Sequence, residues 1–204
     1  MLGYSFSVPS QLTSELDLSA VNIARGFAMD APLKAKSGHQ GTAMALAPLA
    51  HVLYSRVMKH DPTDALWPDR DRFVLSAGHA SILQYSMLFL QGYGLELSDI
   101  QNFRQWDSAT PGHPERGHTA GIEVTTGPLG QGFAHAVGLA LAERHLRARF
   151  GSELTNHHTY VIAGDGCLME GVSHEAASLA GHQNLVGSSW CLTTIRSRLT
   201  DQRI

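Results

Sequence analysis

Residues 159–166 read TYVIAGDG, a short apolar run rich in β-branched and aromatic side chains that ends directly in a Gly-Asp-Gly turn. Apolar residues then recur at helical spacing from Val172 to Leu179, which predicts a helix after the turn. Asp165 lies between the two glycines. The stretch therefore predicts a buried strand, a tight turn that carries one carboxylate, and a helix.

A second unit of the same kind lies earlier in the chain. Residues 72–76, RFVLS, predict a short buried strand, which is followed by the turn AGH at residues 77–79 and by a helix over residues 81–90 that ends at Gly92. Strands that alternate with helices are typical of an α/β fold with a largely parallel sheet flanked by helices. Ligands bind at the carboxyl ends of the strands in such sheets, so both turns lie at the predicted binding edge.

The remaining periodicity predicts three further helices and one long loop. A helix is predicted from residue 16 to a break at Pro32, another from Pro48, and a third over residues 133–150. Residues 102–126 are polar and contain several glycines and prolines. A loop of that length inside a compact domain is usually functional.

Composition narrows the class of protein. The chain has 204 residues, of which 43% are apolar and 16% charged, with a net charge of -3. These values are typical of a folded globular protein and argue against a nucleic-acid or anionic-membrane partner, either of which favours a basic face. Cys167 and Cys191 form no paired motif, so reduced thiols and a cytoplasmic location are expected. The amino-terminal residues do not resemble a secretory signal, and no apolar run approaches the roughly 20 residues of a membrane helix.

Among the histidines that directly follow glycine, three stand in turn-like settings at predicted strand ends or loops and are candidate site residues: His39, His79 and His113. Glycine permits a sharp turn, and a histidine beyond it can project into a cleft with an imidazole that works near neutral pH. Since the chain has 12 histidines, a single one of this kind is more often a surface or packing residue. Three of them at strand ends and loop mouths favour a shared site.

Two glycine-containing turns are candidates for binding a phosphate ester and its metal. Residues 125–132, TTGPLGQG, lead into a predicted helix, whose amino end can bind an anion, although such a sequence is also common in simple tight turns. Asp165 offers a hard carboxylate oxygen, which suits Mg²⁺ when diphosphate and water complete its coordination. The alternative for Asp165 is an ordinary helix-capping aspartate.

Six segments together resemble the transketolases, in which they occur in the same order. The segments are SGH at 37–39, DRFVLSAGH at 71–79, NFRQ at 102–105, TPGHPE at 110–115, TTGPLGQG at 125–132 and GDGCLMEG at 164–171. The resemblance covers about residues 16–185, nearly the whole chain. One small departure is Gln40, where the family usually has proline.

The resemblance implies a thiamine-diphosphate-binding fold and ketol transfer between sugar phosphates in the pentose phosphate pathway. Family members are homodimers that hold thiamine diphosphate and Mg²⁺ between the diphosphate-binding domain of one subunit and the pyrimidine-binding domain of its partner. Carried over residue by residue, the resemblance implies that His39 and His113 contact the sugar and transfer protons, and that His79 contacts cofactor and substrate. It further implies that Asp165 ligates Mg²⁺ and that Glu170 links the two cofactor sites. The residues it implies for cofactor binding are Gly127, Pro128, Leu129 and Gly166.

The end of the chain departs from the family. Transketolases carry an asparagine, the second side-chain ligand of Mg²⁺, about thirty residues after the aspartate, but residues 186–195 here read VGSSWCLTTI. The pyrimidine-binding domain, with the glutamate that activates the cofactor, is not part of these 204 residues. The fold is therefore expected to be incomplete at its C-terminal end, and this polypeptide alone is expected to be inactive.

The genetic code suggests a cause for this departure. When the codons from Val186 onward are read from one base earlier, Trp190 and Cys191 force a valine, and permitted third bases elsewhere give GRIVMVFDDN followed by PVTVDGPTD. This strand pattern ends in Asp-Asp-Asn, with the asparagine in register with Ile195. We therefore interpret residues 1–15 as a loose lead-in, 16–185 as a partial diphosphate-binding domain, and 186–204 as an out-of-frame tail produced by a single lost base.

Three hypotheses remain open on the sequence alone. The chain is the front part of a transketolase, a non-catalytic remnant of the diphosphate-binding domain, or one subunit of a split transketolase. A natural split subunit would keep its asparagine, so the tail favours a remnant over a split enzyme.

Overall fold

The computed structural model describes residues 14–185 of the chain. Two strands, β1 (Arg72–Leu75) and β2 (Thr159–Ile162), form a small parallel sheet in which Phe73 lies opposite Tyr160 and Leu75 opposite Ile162. Helices make up most of the rest. The structure is thus a mostly helical α/β domain built around a parallel sheet, and the predicted fold class is confirmed.

The sheet separates two hydrophobic cores because neighbouring residues of a strand point to opposite faces. Phe73 and Leu75 belong to the first core, whereas Val74 lies in the second together with Val161 of β2. All four residues of β2 are buried. Continuous apolar runs of this kind are typical of strands covered on both faces, which explains why both strands were predictable from sequence.

The first core is built with four helices: α1 (Glu15–Ala35), α2 (Gly41–Val52), α3 (Ser81–Gln91) and α4 (Leu97–Gln101). A π-helical turn, Leu53–Val57, continues α2, and Gly92 ends α3 in the left-handed conformation (φ 81°), as predicted. The second core lies under α5 (Gln131–Phe150) and α7 (Gly171–His182), and the short α6 (Asp165–Met169) precedes α7. No helix within residues 14–185 is both long and apolar enough to span a membrane.

Two predicted helix boundaries are wrong, and both errors concern proline. Helix α1 passes through Pro32 to Ala35, and α2 begins at Gly41 with Pro48 inside it. A proline inside a helix costs about 3 kcal/mol in isolation. Buried alanines of α1 and α2 pack in one core and offset that cost, which local propensity does not reveal.

The buried face of α1 also differs from its most apolar residues. Leu16 is 80% exposed and Ile23 44% exposed, whereas Ala24 and Ala28 are almost fully buried. Small side chains let α1 approach α2 closely, so helix packing rather than hydrophobicity sets the buried face. The helix begins at Glu15 with Ser14 as its cap, one residue inside the predicted lead-in, and the predicted out-of-frame tail lies outside the described residues.

Asp71 fixes the entry to both strands. Asp71 directly precedes β1 and is 4% exposed, and its carboxylate accepts hydrogen bonds from the backbone N–H of Lys59 (2.7 Å) and of His158 (2.6 Å), the residue directly before β2. The Asp71 side chain thus links the two strands at the end where their pairing starts and helps to fix their register.

We expect Asp71→Asn to lower the free energy of unfolding by about 1–3 kcal/mol, because the new amide group faces one N–H donor and leaves it unsatisfied. Urea denaturation of the 204-residue chain measures the change. Asp61→Asn is the matched control, since Asp61 is exposed and asparagine caps a turn equally well, so its effect should stay within about 0.5 kcal/mol. Equal destabilisation by both substitutions would contradict this role for Asp71.

Candidate active site

A cleft of about 590 Å³ opens at the carboxyl ends of the two strands. The backbone N–H groups of Ser76 and Ala77 both donate to the carbonyl of Ile162, at 2.8 and 3.3 Å, so the two turns leave the sheet side by side. Residues predicted for the site that line this cleft are His39, His79, Gly127, Leu129, Asp165 and Gly166. Ala77, Cys167 and Met169 add apolar wall between them.

His39 and His79 face each other in this cleft. Their ring centroids lie 4.9 Å apart with the planes at 72°, although the residues are carried by different elements, the turn before α2 and the turn after β1. Gly78 makes this arrangement possible, because a Cβ there would lie 2.7 Å from Thr126 Oγ1 and 2.9 Å from the nitrogen of Gly127. The glycine before His79 is therefore required for close approach of two loops.

His113 lies beside these two histidines rather than on the cleft wall. Its imidazole packs against Gly127, where a Cβ would come within 3.5 Å of the ring. Two buried hydroxyls of α3 hold the backbone of its loop: Ser81 Oγ donates to Gly112 O (2.9 Å), and Tyr85 Oη lies 3.0 Å from Pro111 O. Sequence reasoning missed both residues, although polar side chains within the apolar run SILQYSMLFL were a signal.

Burial and neighbouring groups lower the pKa of two of these imidazoles, His79 and His113, which favours their neutral form. Burial lowers the pKa of His79, and the nearby imidazoles of His39 and His113 lower it further. Burial likewise lowers the pKa of His113, followed by the guanidinium of Arg104 and by His39, while Glu115 opposes them. A neutral imidazole can accept a proton, so the cluster is suited to proton transfer near neutral pH.

We expect the free energy of unfolding to fall as the pH drops below 6.5, the ordinary pKa of histidine. Because the pKa values of His79 and His113 are lower in the folded chain, the unfolded chain binds more protons in that range. Urea unfolding at several pH values between about 5 and about 8 measures the slope. His79→Gln should flatten it, and an unchanged slope in that variant would contradict the assignment.

The glycine-rich segment at residues 125–132 does two different things. Gly127 and Leu129 line the cleft. Gly132 instead packs on Ser76, the residue after β1, since a Cβ there would lie 2.5 Å from Ser76 Cα, and the N–H of Phe133 donates to Ser76 Oγ at 3.0 Å. The N–H of Phe133 in the first turn of α5 is therefore already bonded within the protein, and an anion site at this helix end stays a prediction.

Asp165, Gly166 and Glu170 follow β2. Asp165 is partly exposed in the cleft and its Oδ1 accepts from the N–H of Gly166 at 2.9 Å. Glu170 joins α6 to α7, is exposed, and like the exposed Pro128 does not line the cleft.

The donor set bears on which metal could bind here. Within residues 14–185 no three histidine, cysteine, aspartate or glutamate side chains are grouped so that they could hold a metal ion by themselves. One carboxylate beside apolar walls and bare glycines fits a cation such as Mg²⁺ that takes most of its ligands from phosphate and water.

A parallel α/β domain whose strand-end cleft combines bare glycines, neutral imidazoles and one carboxylate belongs to the class that binds diphosphate-containing cofactors. The family model described as transketolase, thiamine diphosphate binding domain, matches residues 16–188. The chain belongs to this family, and the resemblance drawn from the six segments is confirmed.

Relatives and solved structures agree with this assignment. The chloroplastic transketolase of Zea mays is 58% identical over 177 residues, which cover 85% of this chain and 26% of the relative. The structure of transketolase from Leishmania mexicana matches with a TM-score of 0.84 at 52% identity, over 87% of this chain and 27% of that one. A Pichia stipitis transketolase, solved in complex with sedoheptulose-7-phosphate, matches with a TM-score of 0.81 at 49% identity, again over 87% and 27%. The chain thus spans about a quarter of the length of these proteins.

Proposed function

We propose that this chain supplies the diphosphate-binding half of a thiamine diphosphate and Mg²⁺ site in a transketolase. The observation that carries the proposal is the cleft at the strand ends, where Asp165, Gly127 and Gly166 line the same space as the His39–His79 pair. Family membership supports thiamine diphosphate as the cofactor. Mg²⁺ is proposed from the chemistry of the side chains that line the cleft.

Asp165 is proposed as the ligand of Mg²⁺, with Gly127 and Gly166 leaving room for the diphosphate. A Cβ on Gly166 would approach Leu129 Cδ1 to 3.2 Å, so a side chain there would narrow the cleft. Leu129 and Met169 offer apolar surface for an aromatic ring. When bound, thiamine diphosphate supplies the carbanion and the electron sink for cleavage beside a carbonyl group.

The three histidines are proposed to bind the sugar and move its protons. Neutral His79 and His113 can accept a proton from a hydroxyl group and return it later, and exposed His39 faces the same opening. The Pichia stipitis relative binds sedoheptulose-7-phosphate, which supports a sugar phosphate as the substrate class. The reaction proposed is transfer of a two-carbon ketol unit from a ketose phosphate to an aldose phosphate, as in the pentose phosphate pathway.

A second subunit is proposed to close the cleft, as in the family. Glu170 is exposed beside Met169, itself 83% exposed on the cleft wall, so both are available to a partner. Glu170 would then link the two cofactor sites of a homodimer. We also propose a cytoplasmic location, since Cys167 is a free, buried thiol.

If residues 186–204 are out of frame, the alternative to a transketolase subunit is a non-catalytic remnant of the diphosphate-binding domain. One lost base near Leu185 would explain why no asparagine follows Asp165 at the family spacing. Resequencing the gene across this junction separates the hypotheses. Insertion of one base should restore GRIVMVFDDN and a transketolase reading frame, and an early stop in the repaired frame would contradict the frameshift.

A chimera tests the proposed function without depending on the tail. Residues 16–185 of this chain replace the matching segment of the maize transketolase, which shares 58% identity with it. We expect the chimera to form a sedoheptulose phosphate from xylulose and ribose phosphates at a rate within about tenfold of its parent, because such a change is only about 1.4 kcal/mol in the barrier. A folded dimer that binds cofactor but shows no transfer would contradict the proposal.

A further inference from the structure

Arg104 lies between the loop that carries His39 and the loop that carries His113. Its Nη1 donates to Ser37 Oγ at 2.8 Å, across 67 positions of the chain. The other side of the guanidinium packs on Gly112, where a Cβ would lie 2.7 Å from Nε and 2.9 Å from Nη2. The side chain therefore contacts the residue two positions before His39 and the residue directly before His113.

The backbone of Arg104 is held in an uncommon conformation. Its φ is 62°, in the left-handed region that non-glycine residues rarely adopt, and its N–H donates to Thr110 O at 3.0 Å. The neighbouring Phe103 is 2% exposed, with its ring 6.3 Å from that of Tyr85 and 5.9 Å from the Arg104 guanidinium carbon. Burial of Phe103 and the bond to Thr110 stabilise this conformation, which aims the guanidinium between the loops.

We propose that Arg104 is a positioning residue that fixes the loop of His39 against the loop of His113. A planar guanidinium can donate from Nη1 to Ser37 while its Nε and Nη2 lie against Gly112, whereas a lysine ammonium is a single point charge and cannot span both contacts. The inference rests on the proposed function, since it concerns the spacing of the histidines that would share one substrate.

Arg104 also acts on His113 electrostatically. The charged or titratable groups that face His113 are Arg104, His39, Glu115 and His79, and of these Arg104 is a permanent cation. Its charge lowers the pKa of His113 in addition to burial. One side chain thus contacts the loop that carries His113 and adds to the lowering of its pKa by burial.

NMR of the full 204-residue chain without cofactor separates these effects. The titration midpoint of His113 reports charge, and the nuclear Overhauser effect between the rings of His39 and His79, whose centroids are 4.9 Å apart, reports loop position. Arg104→Gln should raise the His113 midpoint and remove the ring contact. Ser37→Ala should remove the ring contact only, and Arg104→Lys should weaken the contact while the midpoint stays near its original value.

Arg116→Gln is the matched control, since Arg116 is exposed on the same long loop and is not among the groups that shift His113. The proposal is overturned if Arg104→Gln leaves the His113 midpoint unchanged, or if Ser37→Ala leaves the His39–His79 contact intact. If Arg104→Gln unfolds the chain, the same two NMR measurements on Ser37→Ala and Arg104→Lys test the proposal instead. Because no cofactor or substrate is present, failure here leaves the chimera test of the proposed function untouched.

Discussion

Replacing Asp165 with alanine in the chimera is expected to remove measurable Mg²⁺-dependent binding of thiamine diphosphate, and ketol transfer with it. Among the cleft-lining residues within 14–185, Asp165 is the one carboxylate, so none of the other side chains described there could replace it as a hard oxygen ligand. Mg²⁺ bound through diphosphate alone would lose its attachment to the protein. Isothermal titration with cofactor at fixed Mg²⁺ measures the loss.

The matched control for this prediction is Asp30→Ala. Asp30 is exposed within α1 and is not among the residues that line the cleft, so its replacement should leave cofactor affinity unchanged. Circular dichroism and thermal melts should be alike for both variants. Retention of tight, Mg²⁺-dependent binding by a folded Asp165→Ala chimera would show that the metal is held elsewhere.

His113→Asn in the chimera is expected to reduce kcat by about 10²–10⁴-fold with little effect on cofactor binding, because positioned acid–base groups contribute in this range. Asparagine keeps a polar side chain of moderate size beside Gly127 but cannot take up a proton. Steady-state kinetics with xylulose and ribose phosphates give kcat and KM separately.

His182→Asn serves as the control, since His182 is exposed at the end of α7 and away from the cleft-lining residues. It should leave kcat unchanged. A His113→Asn chimera with normal kcat would remove His113 from the proposed chemistry and leave it as a packing residue against Gly127.

The strands and the binding edge could be predicted from sequence, whereas helix limits could not. Residues 73–75 and 160–163 are continuous apolar runs, each followed by a glycine-containing turn, and local signals of this strength specify a buried parallel strand. Pro32 and Pro48 are equally strong local signals for a helix boundary, but packing between α1 and α2 overrides them. Burial between the two helices decides where each helix ends, and the sequence of either helix alone does not reveal that burial.

The same division holds for the candidate site. His39, His79 and Asp165 could be proposed because each stands in a short motif with glycine, and the structure brings these residues to one cleft. Ser81, Tyr85 and Arg104 support the site through contacts with residues distant along the chain. Nothing in their local sequence specifies those partners, so only the folded arrangement reveals them.

The most direct test of the central claim is the position of the metal in a crystal of the chimera. Mn²⁺ replaces Mg²⁺ and is located with thiamine diphosphate by its anomalous scattering. The expected result is a peak at bonding distance from the carboxylate of Asp165, with the diphosphate beside Gly127 and Gly166. A peak bound by other residues, or cofactor density outside the cleft at the strand ends, would contradict the account.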